Sequence, residues 1–175
     1  MKPTIETDRY ALYLADCRDV LPTLEAGSFD SIVCDPPYGM AHKCNFAERG
    51  RDCIAPCNDY PDVFDDDKPF DPAPILALGV PSILFGGNYF ADKLPASSGW
   101  LVWDKLRPDD LDQSTCELAW TNCVKGVRRY AHLWHGCMRH SEREENYHPT
   151  QKPASLMSWC LSLPWTKGFE SVLDP

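Results

Sequence analysis

Three short apolar runs in this chain each stop at an aspartate: Leu12-Tyr13-Leu14-Ala15-Asp16, Ser31-Ile32-Val33-Cys34-Asp35 and Ser171-Val172-Leu173-Asp174. Runs of this length without polar alternation fit strands buried on both faces, the pattern of a parallel sheet covered by helices. Such sheets bind ligands at the carboxyl ends of their strands. Three aspartates at strand ends therefore describe a pocket lined with carboxylates. Each one alone is also the residue that begins a loop or caps a helix.

The segments between these runs alternate in type. Asp71-Pro72 before residues 73–78 reads as a helix start, stopped at Gly79. Residues 82–85 and 100–103 read as strands. Residues 117–121 and 128–134 read as an antiparallel pair near one edge. Residues 153–163 read as a helix with Pro153 at its start and Leu156, Met157, Cys160 and Leu161 on the buried side. This order predicts a three-layer α/β fold with a mostly parallel sheet and an antiparallel edge. At 175 residues the chain suits one domain, 1–175, with one core. A long connection, 40–71, is of a length that implies function or disorder. Within it, Asp65-Asp66-Asp67 is read as a solvated acidic stretch.

Lys plus Arg number 17 against 26 Asp plus Glu, a net charge of -9. This excludes nucleic-acid binding by bulk charge, so any polyanion must meet a local basic patch. Lys125, Arg128, Arg129, Arg139 and Arg143 form one candidate, in a region spanning 105–147. Trp120, Tyr130 and Trp134 are interleaved with it. Trp120 and Trp134 are expected in the core and some of the arginines on phosphates. The alternative is a pair of edge strands with charged outward faces. No apolar run reaches the length of a membrane span, and Glu6 and Asp8 do not suit a secretory signal. Nine cysteines are an odd count, read as mostly reduced thiols in a cytoplasmic protein. His42, Cys44, Cys53 and Cys57 have a spacing that zinc permits, but they lack paired Cys-x-x-Cys knuckles. They are read as ordinary loop residues, and no metal is expected. Cys34, inside a strand with no adjacent base, reads as a packing residue.

The sharpest motif is Asp35-Pro36-Pro37-Tyr38-Gly39, directly after a buried run. Two prolines fix φ and remove two N–H groups, giving a stiff extended turn. Its carboxylate, its uncommitted carbonyl and its aromatic face suit a planar group with an amine on its rim.

Asp35-Pro36-Pro37-Tyr38 resembles the catalytic motif of the DNA amino-methyltransferases. His148-Pro149-Thr150-Gln151-Lys152-Pro153 resembles the segment before a cofactor-side helix in the permuted branch of that family. Ser171 to Pro175 resembles the strand opening its cofactor motif, and Leu14-Ala15-Asp16-Cys17 the strand end that meets the cofactor adenine. The order of these motifs is that of the permuted branch. The resemblance implies a Rossmann-like S-adenosylmethionine-dependent fold and methyl transfer to the exocyclic amine of adenine in DNA after base flipping. Cytosine as the target and an inactive DNA-binding relative are the alternatives. It implies catalytic roles for Asp35, Pro36, Pro37 and Tyr38, with Tyr38 stacking on the base. It places Asp16 and Cys17 at the cofactor adenine, and Asp174 and Pro175 beside its methionine moiety. His148, Thr150, Gln151 and Lys152, with Asp35, would line the cofactor side, and Lys152 would partner the cofactor carboxylate. Double-stranded DNA is the implied partner, with a homodimer and a paired restriction nuclease left open. The family pattern continues past Pro175 into a glycine-rich loop, a helix and an acidic strand. The fold is accordingly expected to be incomplete at the C-terminus, with weak cofactor binding. On this reading Asp35→Ala abolishes transfer, and Tyr38→Phe keeps most of it.

Overall fold

The computed structural model describes residues 2–42, 60–109, 114–135, 138–144 and 147–175. Ten strands are described: β1 Ile5–Glu6, β2 Ala11–Leu12, β3 Ser31–Cys34, β4 Ser82–Phe85, β5 Gly99–Asp104, β6 Cys116–Thr121, β7 Val127–Ala131, β8 Trp134–His135, β9 Met138–Arg139 and β10 Val172–Leu173. The helices are α1 Cys17–Val20, α2 Ala73–Leu76 and α3 Ala154–Ser162, with 3-10 turns at Leu21–Thr23 and Gly87–Lys93.

Six strands form the central sheet in the order β10-β3-β4-β6-β5-β7. β10, β3 and β4 are parallel, as are β5 and β7; β6 runs against both of its neighbours. The chain is thus α/β with a mostly parallel, mixed sheet. β3 and β4 are buried along their whole length, as unalternating apolar runs require. Successive residues point to opposite faces. On one face Val33, Ile83, Phe85, Leu101, Trp103 and Ala119 pack with Trp134 and with Leu156, Cys160 and Leu163 from the α3 side. On the other, Ile32, Cys34, Leu84 and Trp120 pack with Leu21, Ile75, Leu78 and Phe90. Both tryptophans expected in the core are there.

Four expectations are corrected. The first apolar run is not a strand of the central sheet. β2 pairs only with β1 in an exposed hairpin, and Leu14 is 91% exposed. An apolar run joins a sheet only where a neighbouring strand offers its edge, and that pairing is long-range. The antiparallel strand is not at the edge either: β6 lies inside the sheet, and the edge strand β7 runs parallel to β5. Residues 117–121 and 128–134 therefore do not pair with each other, and Trp134 belongs to the small β8–β9 hairpin. The acidic run is built into the structure. Asp66 is 5% exposed and accepts backbone N–H bonds from Gly39 (2.8 Å), Met40 (3.3 Å) and His42 (2.8 Å). Asp65 pairs with Arg18 and Lys68. Finally, Arg139 is not a surface residue: its side chain is fully buried, with the guanidinium 5.1 Å from the Trp134 ring centre.

The other elements follow local signals. The Asp71 carboxylate accepts the Ala73 N–H at 3.0 Å and begins α2, and Gly79 takes a positive φ of 70° just past its end. Pro153 stands at the N-cap of α3, with Leu156 and Cys160 on its buried side. No helix among the described residues is long and apolar enough to cross a membrane.

Candidate active site

β3 and β10 are parallel neighbours, so their carboxyl ends lie side by side. Asp35 follows one and Asp174 the other. Directly after β3, Pro36 and Pro37 keep the chain from turning into a helix, and 35–38 form neither helix nor strand. The carbonyl of Pro36 is committed to no hydrogen bond among those described.

Tyr38 folds back from this turn. Its hydroxyl donates to Asp35 Oδ1 at 2.6 Å. Burial first, then the charges of Asp35 and Glu117, push the phenol pKa far up, so the hydroxyl keeps its proton and donates it to Asp35. The ring stacks on Tyr89, with centroids 5.1 Å apart and planes 16° from parallel. Gly86 permits this packing. It has a positive φ of 69°, and a Cβ there would stand 2.1 Å from a Tyr38 ring carbon. Asp66 then locks the turn from outside through its bonds to residues 39–42.

Lys152 arrives from the far end of the chain. Its ammonium donates to Asp35 Oδ2 at 2.7 Å and to the Tyr38 hydroxyl at 3.3 Å, and its side chain is 5% exposed. It also pairs with Glu117 Oε2 at 3.1 Å, and Glu117 Oε1 pairs with Lys105 at 2.5 Å. Four charges of alternating sign thus run Lys105, Glu117, Lys152, Asp35. Burial disfavours the Lys152 charge, yet Asp35 and Glu117 outweigh it and raise the pKa above the usual lysine value. Burial likewise works against the Glu117 charge, but Lys152 and then Lys105 hold its pKa below the usual range. The segment before α3 sets the lysine's position: Trp134 Nε1 donates to the Gln151 carbonyl at 3.2 Å, and Gln151 N–H closes a turn onto His148.

Asp174 keeps an exposed edge, but burial and then the Asp35 charge push its pKa up to about 6. The Pro175 carbonyl lies 3.9 Å from Cys34 Sγ. Burial raises the thiol pKa of Cys34, with contributions from Asp174, Asp35 and Cys17. Cys34 is a buried member of the core on this face, as a packing residue would be, and Cys17 at the start of α1 packs against the same cluster.

A cleft of about 360 Å³ opens beside this cluster, lined by Tyr38, Tyr89, Asn88, Thr115, Cys116 and Glu117 among others. Its volume lies in the range of small-ligand sites, about 300–1,000 Å³.

The structure therefore brings Asp35, Pro36, Pro37, Tyr38, Lys152, Asp174 and Pro175 to one end of the sheet. Others among the candidates are engaged elsewhere. Asp16 caps α1 through the Arg18 N–H and grips the Arg18 guanidinium, which holds its pKa down at about 2. His148 and Thr150 are exposed and share a hydrogen bond of 3.0 Å. Gln151 spends its side-chain oxygen on Tyr147 N–H. Among the basic candidates Lys125, Arg128 and Arg143 are exposed. Arg128 also lies over the Trp165 ring, and Arg129 is paired with Asp104. Cys44, Cys53 and Cys57 lie outside the described residues, and no cluster of three metal-ligating side chains occurs among the described ones.

The sequence reading missed Glu117, Lys105, Gly86 and Tyr89. The available signal for Glu117 was a carboxylate at the head of an otherwise apolar strand run, Leu118-Ala119-Trp120. For Gly86 it was the Gly-Gly pair ending β4. No protein-family model matches the chain, and no curated protein shows significant similarity to it.

Proposed function

We propose that this chain carries a site for methyl transfer to an exocyclic aromatic amine, that of adenine in DNA, on a Rossmann-like methyltransferase fold. The observation that carries the reading is the joining of Asp35, Tyr38 and Lys152 by hydrogen bonds at the carboxyl end of β3, from motifs more than 100 residues apart.

S-adenosylmethionine supplies the methyl group when bound. The residues present fit its cationic end: Asp35 and Asp174 stand at adjacent strand ends, close enough that one charge raises the pKa of the other. A sulfonium or ammonium beside them relieves that repulsion. Asp174 is the residue to face the methionine moiety.

An aromatic amine is a poor nucleophile because its lone pair is delocalised into the ring. Asp35 and the Pro36 carbonyl are two fixed acceptors. By taking the two amine N–H groups they favour a pyramidal nitrogen and localise that lone pair. Their preorganisation supplies most of the rate, since they need no rearrangement as charge develops. Tyr38 and Lys152 hold Asp35 in place through both of its oxygens. A base inside a duplex must first be extruded. The cleft beside Tyr38 and Tyr89 offers it an aromatic wall, and stacking of this kind is worth about 1–3 kcal/mol per base. Among the basic candidates, the exposed cations Lys125, Arg128 and Arg143 are available for phosphate contacts.

The test is incubation with labelled S-adenosylmethionine and unmethylated DNA, followed by nucleoside analysis. N6-methyladenine, lost in Asp35→Ala, is expected. N4-methylcytosine would move the target to cytosine. DNA binding without any transfer would replace the catalytic reading with that of an inactive relative.

A further inference from the structure

The methyl-transfer reading leaves Glu117 and Lys105 without a task, although they close a buried chain of four charges. A buried ion pair carries a desolvation cost that one partner often fails to offset. Here Lys152, nearly sealed from water, meets two carboxylates from different elements: Asp35 on the loop after β3 and Glu117 on the reversed strand β6. The reversal of β6 puts Glu117 at this end of the sheet. It lies two residues before Ala119, the β6 partner of Phe85, and the Lys152 ammonium lies 5.7 Å from the Phe85 ring centre. The ammonium donates a hydrogen bond to Asp35 at 2.7 Å and stands 3.1 Å from Glu117 Oε2 as an ion pair, so the two carboxylates share its charge unequally.

We infer that Glu117 is a positioning residue of this site: it shares the Lys152 ammonium with Asp35, and the sharing sets how firmly Asp35 is held and how much of its charge is left to accept an amine. Lys105 completes the arrangement by neutralising the second oxygen of Glu117. Without Glu117 the ammonium rests on Asp35 alone and draws on the charge that the substrate needs. This assigns Lys152 to the chain's own carboxylates and not to a cofactor carboxylate.

The charged and titratable groups around Lys152 fix the sign of the test. They are Asp35 and Tyr38 on the loop after β3, Glu117 on β6 with Lys105 behind it, and Asp174 at the end of β10, whose charge couples to Asp35. Removing the negative charge of Glu117 makes the Lys152 proton easier to lose. Removing the positive charge of Lys105 makes it harder.

The experiment follows the alkaline titration of the Lys152 ammonium by nitrogen-15 NMR in the wild type, Glu117→Gln, Glu117→Asp and Lys105→Gln. Near-ultraviolet circular dichroism checks each fold. Glu117→Gln is expected to lower the Lys152 midpoint by about one pH unit or more, and Glu117→Asp to restore part of it. Lys105→Gln is expected to leave the lysine protonated at least as far up in pH as the wild type. A folded Glu117→Gln with an unchanged midpoint would overturn the inference. Should that variant not fold, a lowered midpoint in Lys105→Gln would overturn it equally.

The titration does not depend on methyl transfer, so it judges the inference even if the enzymatic reading fails. The activity arm rests on that reading. In methyl transfer, Glu117→Gln is expected to lose roughly tenfold in kcat, the scale of coupling within one polar network, with the KM for S-adenosylmethionine unchanged. A raised KM with unchanged kcat would return Lys152 to the cofactor carboxylate and sink the assignment.

Discussion

Gly86 shows how much can rest on the absence of a side chain. Its φ of 69° and the 2.1 Å approach of the Tyr38 ring leave no room for a methyl group. Gly86→Ala is expected to cost about 1–3 kcal/mol in urea unfolding, from the strained backbone, and more if Tyr38 is expelled from its stack on Tyr89. Under the proposed function, methyl transfer should fall further than stability alone explains, because Tyr38 also bonds Asp35. That bond revises the expectation for Tyr38→Phe. The ring survives the substitution, but Asp35 Oδ1 loses a donor at 2.6 Å. A several-fold loss in kcat is the expected outcome, to be read in the nucleoside assay. Asp66 makes a parallel case. It is a buried carboxylate holding three backbone N–H groups. Asp66→Ala leaves those donors without their acceptor and is expected to destabilise the protein by about 1–3 kcal/mol in chemical denaturation.

Among the elements, β6 has the most consequences. It is the one reversed strand of the central sheet, it lies between β4 and β5, and it delivers Glu117 to the site. Ala119 on this strand is fully buried and faces Phe85 on one side and Leu101 on the other. Ala119→Leu overfills that gap and should cost about 1–3 kcal/mol in equilibrium unfolding. β3, β4 and α3 could be read from the sequence almost to the residue. Their signals are local: a four-residue apolar run, a Gly-Gly stop, a proline at a helix start. The course of β6 could not be read. A six-residue strand looks the same in either direction, and its place depends on partners 12 to 22 positions away in β5 and 34 to 38 positions away in β4. Leu12 to Leu14 failed for the same reason. The run is apolar enough to be buried, but its strand β2 pairs with β1 and with neither edge strand of the central sheet.

At the scale of the whole molecule, Asp35 and Asp174 meet at one end of the sheet, and burial first, then the Asp35 charge, gives Asp174 a pH signature. Asp174 has a folded-state pKa raised to about 6, against an ordinary value of 3.8. A raised pKa means the folded state binds the proton more tightly than the unfolded one. The contribution to stability is therefore full below pH 4 and is lost as pH rises through 6. Asp174→Asn removes this dependence. The variant should melt at a higher temperature than the wild type at pH 7 and at nearly the same temperature at pH 4, as checked by thermal denaturation at both values. The surface charge follows a different logic. The net charge of -9 is a property of the whole chain. Which cations remain free for a polyanion depended on folding, which buried Arg139 against Trp134 and tied Arg129 to Asp104.

The amino-acid order alone determined the turn Asp35-Pro36-Pro37-Tyr38, the buried strand that precedes it and the helix that begins at Pro153. Those features follow from the proline ring, from hydrophobic runs and from spacing over a few residues. Only the folded chain decided that Lys152 should meet Asp35 and Glu117, that Asp66 should be a buried clamp, and that Asp16 should belong to Arg18. Lys152 meets Asp35 across 117 positions and Asp66 meets the Gly39 N–H across 27, so strand order and loop packing settle both; Arg18 is local to Asp16 but also pairs with the distant Asp65.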